Sequence, residues 1–505
     1  MQTSILIVFI LYLASMLLVG FFFYRKKINL NEYVLGDRKL NPWVTAMSAQ
    51  ASDMSGWLLT GIPGLAYASI IGAKEAIWTS IGLCLGTVLN WLLVAKRLRV
   101  YTEISNNSLT IPSYLENRFK DKKGIISIIT AVVILFFFTI YTSSMFSAGA
   151  KLFSNIFGLD YTLALVIGSV VIVGYTFLGG FLAVSWTDLI QGLLMFFCLV
   201  FVPLFMLGNF TGGQTDEVGL LFESILKLFP TGDEFSYGWL GIISALGWGL
   251  GYCGMPHILV RFMACKDKRT IKPATVIALV WVVITMAAAI VIGICGSVYL
   301  GPGLADSEQV FMEVVKKLFP PIVAGIMLSA ILAAIMSTAD SQLLVASTSF
   351  STDIYKRLIN KNASDKQVLF VSKITVLVVA VIAFVIALDQ NSTVFTVVSY
   401  AWAGLGASFG PIIFLSLYNK NVTSKGAVAG IVTGAVVTIL FKYVLAPLGG
   451  FWSIYEIIPG FVLSLIAVLL FSKLDKPTDE MLAEFEEMKR QIKEKDDGQS
   501  QKASA

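Results

Sequence analysis

The chain has 505 residues, of which 56% are hydrophobic and only 14% charged, with a mean hydropathy of +0.80 and a formal net charge of +5. A soluble domain carries about 25% charged residues, so a water-soluble enzyme is excluded, and with no basic domain to hold the small positive excess, nucleic-acid binding is disfavoured. Apolar runs of about 20 residues, each able to cross a hydrocarbon core of about 30 Å as a helix, mark an all-α integral membrane protein resident in a lipid bilayer.

Windows of about 19 residues place thirteen helices near 4–24, 43–66, 74–94, 125–148, 160–178, 187–209, 238–258, 274–298, 321–345, 367–387, 393–416, 426–446 and 452–472. The first opens MQTSILIVFILYLASMLLVGFFFYRKK, with its basic cluster after the apolar run, the reverse of a secretory signal peptide, and is expected to be retained. Connections at 25–42, 95–124, 259–273, 346–366 and 417–425, with the tail after 472, hold 30 of the 37 Lys and Arg residues. The opposite connections hold only Lys74, Lys151, Lys227, Lys316 and Lys317. Cytoplasmic loops keep positive charge, so thirteen spans put the amino terminus outside and the carboxyl terminus inside. Cys84, Cys198, Cys253, Cys265 and Cys295 lie in or beside apolar spans without CxxC spacing and read as small packing residues rather than disulfides or a zinc site.

The second span reads SAQASDMSGWLLTGIPG. A carboxylate near the bilayer centre costs at least about 2.5 kcal/mol, so Asp53 should face a watery cavity, a cation or a partner. Gly56, Gly61, Pro63 and Gly64 weaken helical continuity, and broken backbone at membrane depth is tolerated only against protein or a cavity. An unwound helix here presents bare carbonyls beside hydroxyls and a carboxylate, the oxygens a hard monovalent cation needs in place of water.

The seventh span, ISALGWGLGYCGMPHILVRF, repeats the anomaly with Gly247, Gly249, Gly251, Gly254 and Pro256 among Trp248 and Tyr252. Two interrupted spans five helices apart are the pattern of an inverted-repeat transporter, with substrate near the midplane between them. Helices two to six (43–209) and seven to eleven (238–416) then form the repeats. Outside them lie the first helix with its loop (1–42), helices twelve and thirteen (426–472) and a charged tail (473–505) that reads as a cytoplasmic extension with one solvated helix around Glu480 to Lys495.

The ninth span carries SAILAAIMSTADSQLLVAS, where Ser337 and Ser341 share a helical face flanked by Thr338, although such hydroxyls can also simply bond their own carbonyls. His257, the lone histidine, reads as interfacial near the cytoplasmic end of its span, and Lys442 as snorkelling from the twelfth. Thr187 and Asp188 read as a cytoplasmic helix start, an N-cap with an acid in the first turn. Trp248 and Tyr252, at i and i+4, fit either core packing or a binding wall.

The stretch YTFLGGFLAVSWTDLIQG, with Gly179, Gly180, Ala183, Val184, Thr187 and Asp188, resembles the signature of the sodium/solute symporter family. ASDMSGW at 51–57, WGLGYCGMPHILVRFMA at 248–264, SYAWAGLGASFGP at 399–411 and YEIIPGF at 455–461 resemble its bacterial sodium/proline subgroup. The resemblance covers essentially the whole membrane part. It implies a LeuT-like 5+5 inverted-repeat fold with extra helices at both ends, in a bacterial cell membrane, and symport of sodium with L-proline. It also implies sodium ligands: the backbone carbonyls of Ala51, Met54 and Ala334 and the hydroxyls of Ser337 and Thr338, with Asp53 supporting the site. Ser55, Gly56 and Trp57 would join this site to a proline pocket shaped by Tyr141, Trp248, Tyr252 and Pro256. Asp340, a second intramembrane acid, either binds a polar neighbour or faces the cytoplasmic vestibule.

No organic cofactor, catalytic group or obligate protein partner is expected. A channel would prefer pore-lining rings about a symmetry axis, and a membrane sensor or enzyme would need a signalling domain or catalytic cluster. Asp53 leaves proton coupling open as the alternative to sodium, and another small organic solute as the alternative to proline.

Overall fold

The structure, a computed structural model, describes residues 2–23, 29–176, 180–232, 237–390 and 392–494; Gly179 of the signature stretch and the tail beyond 494 lie outside them. The described residues are helical throughout, apart from turns and one isolated parallel bridge between Leu40 and Cys265.

Nine described helices are long and apolar enough to cross a membrane. The seventh span joins them as a pair bent by 44°, the fifth (Tyr161–Thr176) and thirteenth (Ile457–Ser472) are shorter, and the second is broken, so thirteen is an approximate count. The third runs well past its expected end, from Ile70 to Ile104, because Lys96, Arg97 and Arg99 extend the helix beyond its apolar part. The ninth likewise continues as the widely wound stretch Ser349–Ile359.

Burial sorts the spans. Every residue from Leu328 to Ser349 of the ninth span and from Tyr400 to Ile413 of the eleventh is buried, and both stretches are rich in Ala, Ser and Gly, which let helices approach closely. The first and tenth instead show Leu11, Leu18, Phe21, Phe370 and Val381 on the outer face, where lipid covers them. The five cysteines are free, three of them fully buried.

Three expectations change here. The sixth span begins at Phe181 with Gly180 as its cap, so Thr187 and Asp188 lie in its second turn, fully buried, and cap nothing. His257 is buried rather than interfacial, its ring edge-on to Phe138 and Tyr141. The tail does form a helix, Asp479–Lys493, but it is not solvated all round: Met481, Phe485 and Met488 are buried against the basic side of the membrane part. Lys442 has a partner, Glu456, at 3.7 Å.

Candidate cation and substrate site

The second span starts as helix Pro42–Asp53, whose N-cap Asn41 accepts from Val44 N, and stops at Met54, where ψ turns to 77°. It resumes in a wide turn, Trp57–Gly61, and then as Ile62–Ala68. The break at 54–56 falls before Pro63, which follows the wide turn within the resumed helix and so does not make the break. Gly56 makes the break fit: a Cβ there would lie 3.1 Å from Ala148 of the fourth span.

The seventh span runs as Trp239–Gly247, tightens to a 3-10 stretch, Trp248–Gly254, breaks at Met255 with ψ 104° and resumes as Pro256–Met263. A Cβ on Gly251 would lie 2.0 Å from the indole nitrogen of Trp402, which donates to the Trp248 carbonyl at 2.8 Å. Pro256 is buried at the head of the second half-helix, where its fixed φ suits a first-turn position.

The ninth span crosses the first of these breaks. Ser337 Oγ donates to the Ala51 carbonyl at 2.7 Å and lies 3.2 Å from that of Ala334, while Thr338 Oγ1 is 3.4 Å from the same Ala51 oxygen. Four of the five oxygen sources named from the sequence therefore converge, and the fifth, Met54, is the buried residue at the break itself. Among the described residues there is no group of three or more His, Cys, Asp and Glu side chains fit for a metal. Neutral carbonyl and hydroxyl oxygens are the donors an alkali cation takes, not those of zinc or copper.

Asp53 connects the two broken spans. Its Oδ2 accepts from Tyr252 Oη at 2.7 Å, its Oδ1 is buried without a hydrogen-bond partner, and its carbonyl lies 3.3 Å from Trp57 Nε1. Beside it, Ser55 Oγ and Tyr141 Oη are likewise buried without partners. Aromatic rings wall this polar centre: Trp248 lies 6.3 Å from Trp57, 4.9 Å from Phe395 and 5.3 Å from Tyr455, and Tyr252 stands edge-on to Trp402 at 5.1 Å. Unpartnered hydroxyls inside an aromatic wall suit a small solute with a polar head and an apolar ring. Phe395, Trp402 and Tyr455 escaped the sequence reading as wall residues, although Trp402 and Tyr455 lie in two of the stretches that carried the family resemblance.

One buried turn away lies a second polar centre, unforeseen from the sequence. Arg261 Nη2 reaches Asp188 Oδ2 at 3.2 Å and Ser341 Oγ at 2.5 Å, its Nε donates to Ser48 Oγ at 3.0 Å, and Ser48 donates to Asp188 at 2.6 Å. All four side chains are fully buried. They join the second, sixth, seventh and ninth spans, so Arg261 belongs to the interior rather than to a basic connection. Asp340 binds a polar neighbour, its Oδ1 accepting from Thr176 Oγ1.

Comparison with known proteins bears on the family and the fold. The model of the sodium:solute symporter family matches residues 33–434. A sodium/proline symporter of Haemophilus influenzae is 46% identical over 97% of this chain and 98% of its own length, and a high-affinity proline transporter of Bacillus subtilis is 46% identical over 91% and 96%. The fold matches that of a Na+-coupled sialic acid symporter solved in a substrate-bound, outward-open state, with a TM-score of 0.78 at 20% identity, covering 94% of this chain and 98% of that one.

Proposed function

The chain belongs to the sodium:solute symporter family, and from that membership we propose that it imports L-proline together with sodium across the plasma membrane of a bacterium. It is a LeuT-like membrane transporter that takes sodium as its co-transported ion, and not an enzyme. L-proline is the solute named for relatives that match nearly the whole chain, and buried hydroxyls beside aromatic faces are the polar and apolar groups that a zwitterion with a pyrrolidine ring would need.

The observation that carries this reading is the convergence of Ser337 and Thr338 on the Ala51 carbonyl beside the Asp53–Tyr252 link. Sodium would be held by the carbonyls of Ala51, Met54 and Ala334 and the hydroxyls of Ser337 and Thr338, with Asp53 supplying negative charge nearby. Proline would lie against Ser55, Gly56, Trp57, Tyr141, Trp248 and Tyr252, with Pro256 setting the break that shapes the floor. Bound sodium pins the broken second span to the ninth, and Asp53 passes that constraint to Tyr252 in the substrate wall. A ligand shifts a conformational equilibrium only through differential affinity, and this connection supplies it. In this reading 43–209 and 238–416 are the inverted repeats, the basic side is cytoplasmic and the amino terminus lies outside.

The test is radiolabelled L-proline uptake into proteoliposomes under an inward sodium gradient, with choline replacing sodium at fixed pH as the control. Saturable uptake that choline abolishes is expected, as is its loss in Asp53→Asn and in Ser337→Ala/Thr338→Ala. Equal uptake in choline would overturn sodium coupling, and no uptake by correctly inserted protein would overturn proline as the solute.

A further inference from the structure

The tail helix Asp479–Lys493 opens on Thr478, whose hydroxyl accepts from Met481 N at 3.3 Å, and carries acids in its first turn and bases in its last, as the helix dipole favours. Met481, Phe485 and Met488 repeat at i, i+4 and i+7, one face of the helix, and that face is buried. Phe485 meets Tyr101 edge-on at 6.3 Å, with the Arg118 guanidinium 5.6 Å from its ring. Lys120 Nζ reaches Glu480 at 2.9 Å and Glu484 at 2.5 Å. Burial opposes the charge on Lys120, but the two carboxylates outweigh it and hold the ammonium above the ordinary lysine range. At the far end Lys268 Nζ donates to the carbonyls of Gln491 and Glu494 at 2.6 and 3.1 Å, closing helix-end acceptors that have no partner within the helix.

These anchors lie on both sides of a seam. Tyr101 lies at the end of the third span and Arg118 and Lys120 in the connection that follows it, all in the first repeat, whereas Lys268 follows the seventh span, in the second. Beneath the helix the same seam is latched directly: Arg99 donates to the carbonyls of Cys265 and Lys266 at 2.6 and 3.0 Å. In the repeat reading, rocking one repeat against the other to open the cytoplasmic side would carry the half-helix Pro256–Met263 and its trailing loop away from the Lys120 turn. The tail helix is bound to both.

We propose that the tail helix is an autoinhibitory strap that holds the cytoplasmic side closed and slows turnover. Its hold is a short apolar stripe and partly exposed charge pairs, so it can lift while the membrane core stays folded. The test compares the full chain with one ending at Pro477, with Glu484→Lys and with the exchange Lys120→Glu/Glu484→Lys, each as initial sodium-driven uptake per inserted molecule. The truncated chain and Glu484→Lys are expected to raise the maximal rate severalfold with little change in KM, and the exchange to return it toward wild type. Maximal rates no higher than wild type in both would overturn the strap. A readout that needs no solute is the distance between spin labels at the exposed positions Lys122→Cys and Glu486→Cys in the full chain. A second, longer population appearing with Glu484→Lys supports the strap, and one unchanged short distance overturns it.

Discussion

At the scale of single residues, the contact between Asp53 and Tyr252 is the one on which the proposed coupling would turn. Removing the donor with Tyr252→Phe leaves a buried carboxylate short of a hydrogen bond, a loss of about 1–3 kcal/mol. Sodium-dependent stabilisation of the purified protein against heat should then need roughly five- to 150-fold more sodium, since 1.4 kcal/mol is tenfold in affinity. An unchanged sodium requirement would mean the tyrosine hydroxyl serves only the pocket wall. The Arg261–Asp188 pair makes a different prediction. Removing one partner strands a fully buried charge at a cost of about 3–5 kcal/mol, whereas replacing both with apolar residues of similar size is far milder. Asp188→Leu alone should therefore lower the unfolding temperature more than Asp188→Leu/Arg261→Met together; additive losses would contradict the buried-pair account. Asp53 was legible in the sequence because a carboxylate at membrane depth is costly and stands out, and Ser337 and Thr338 became so through the family resemblance, since hydroxyls there can also bond their own carbonyls. Asp188 and Arg261 were not, because each lies near the end of an apolar run, where a charge reads as belonging to the surface, and nothing in either run names the other.

At the scale of elements, the glycines and prolines of the second and seventh spans gave away two interrupted helices, but not where each breaks. In the second span the break sits well before Pro63, at 54–56, where Gly56 permits close contact with the fourth span. In the seventh, Gly251 faces Trp402 so closely that a methyl group has no room. Gly251→Ala is expected to abolish uptake and lower thermal stability, with partial recovery when Trp402→Phe is added; wild-type uptake by Gly251→Ala would show that this contact is not needed. The tail helix was visible as a charged, helix-forming segment, yet its docking was not, because scattered apolar residues in a polar stretch fit a free amphipathic helix as well as a bound one.

At the scale of the whole molecule, sodium is the source of work. Each positive charge carried inward gains about 2.3 kcal/mol per 100 mV of inside-negative potential, enough for roughly a 50-fold concentration ratio. With sodium equal on both sides, an imposed inside-negative potential should therefore still drive proline inward; indifference to the potential would mean the transported complex carries no net charge. The measurement that reaches the centre of the account is binding linkage in the purified protein: L-proline affinity across sodium concentrations, and sodium affinity across L-proline concentrations. Linkage requires that each ligand tighten the other by the same factor, and the route from Ala51, Ser337 and Thr338 through Asp53 to Tyr252 predicts a factor well above one that collapses in Ser337→Ala/Thr338→Ala. Proline affinity independent of sodium in the folded wild-type protein would contradict it.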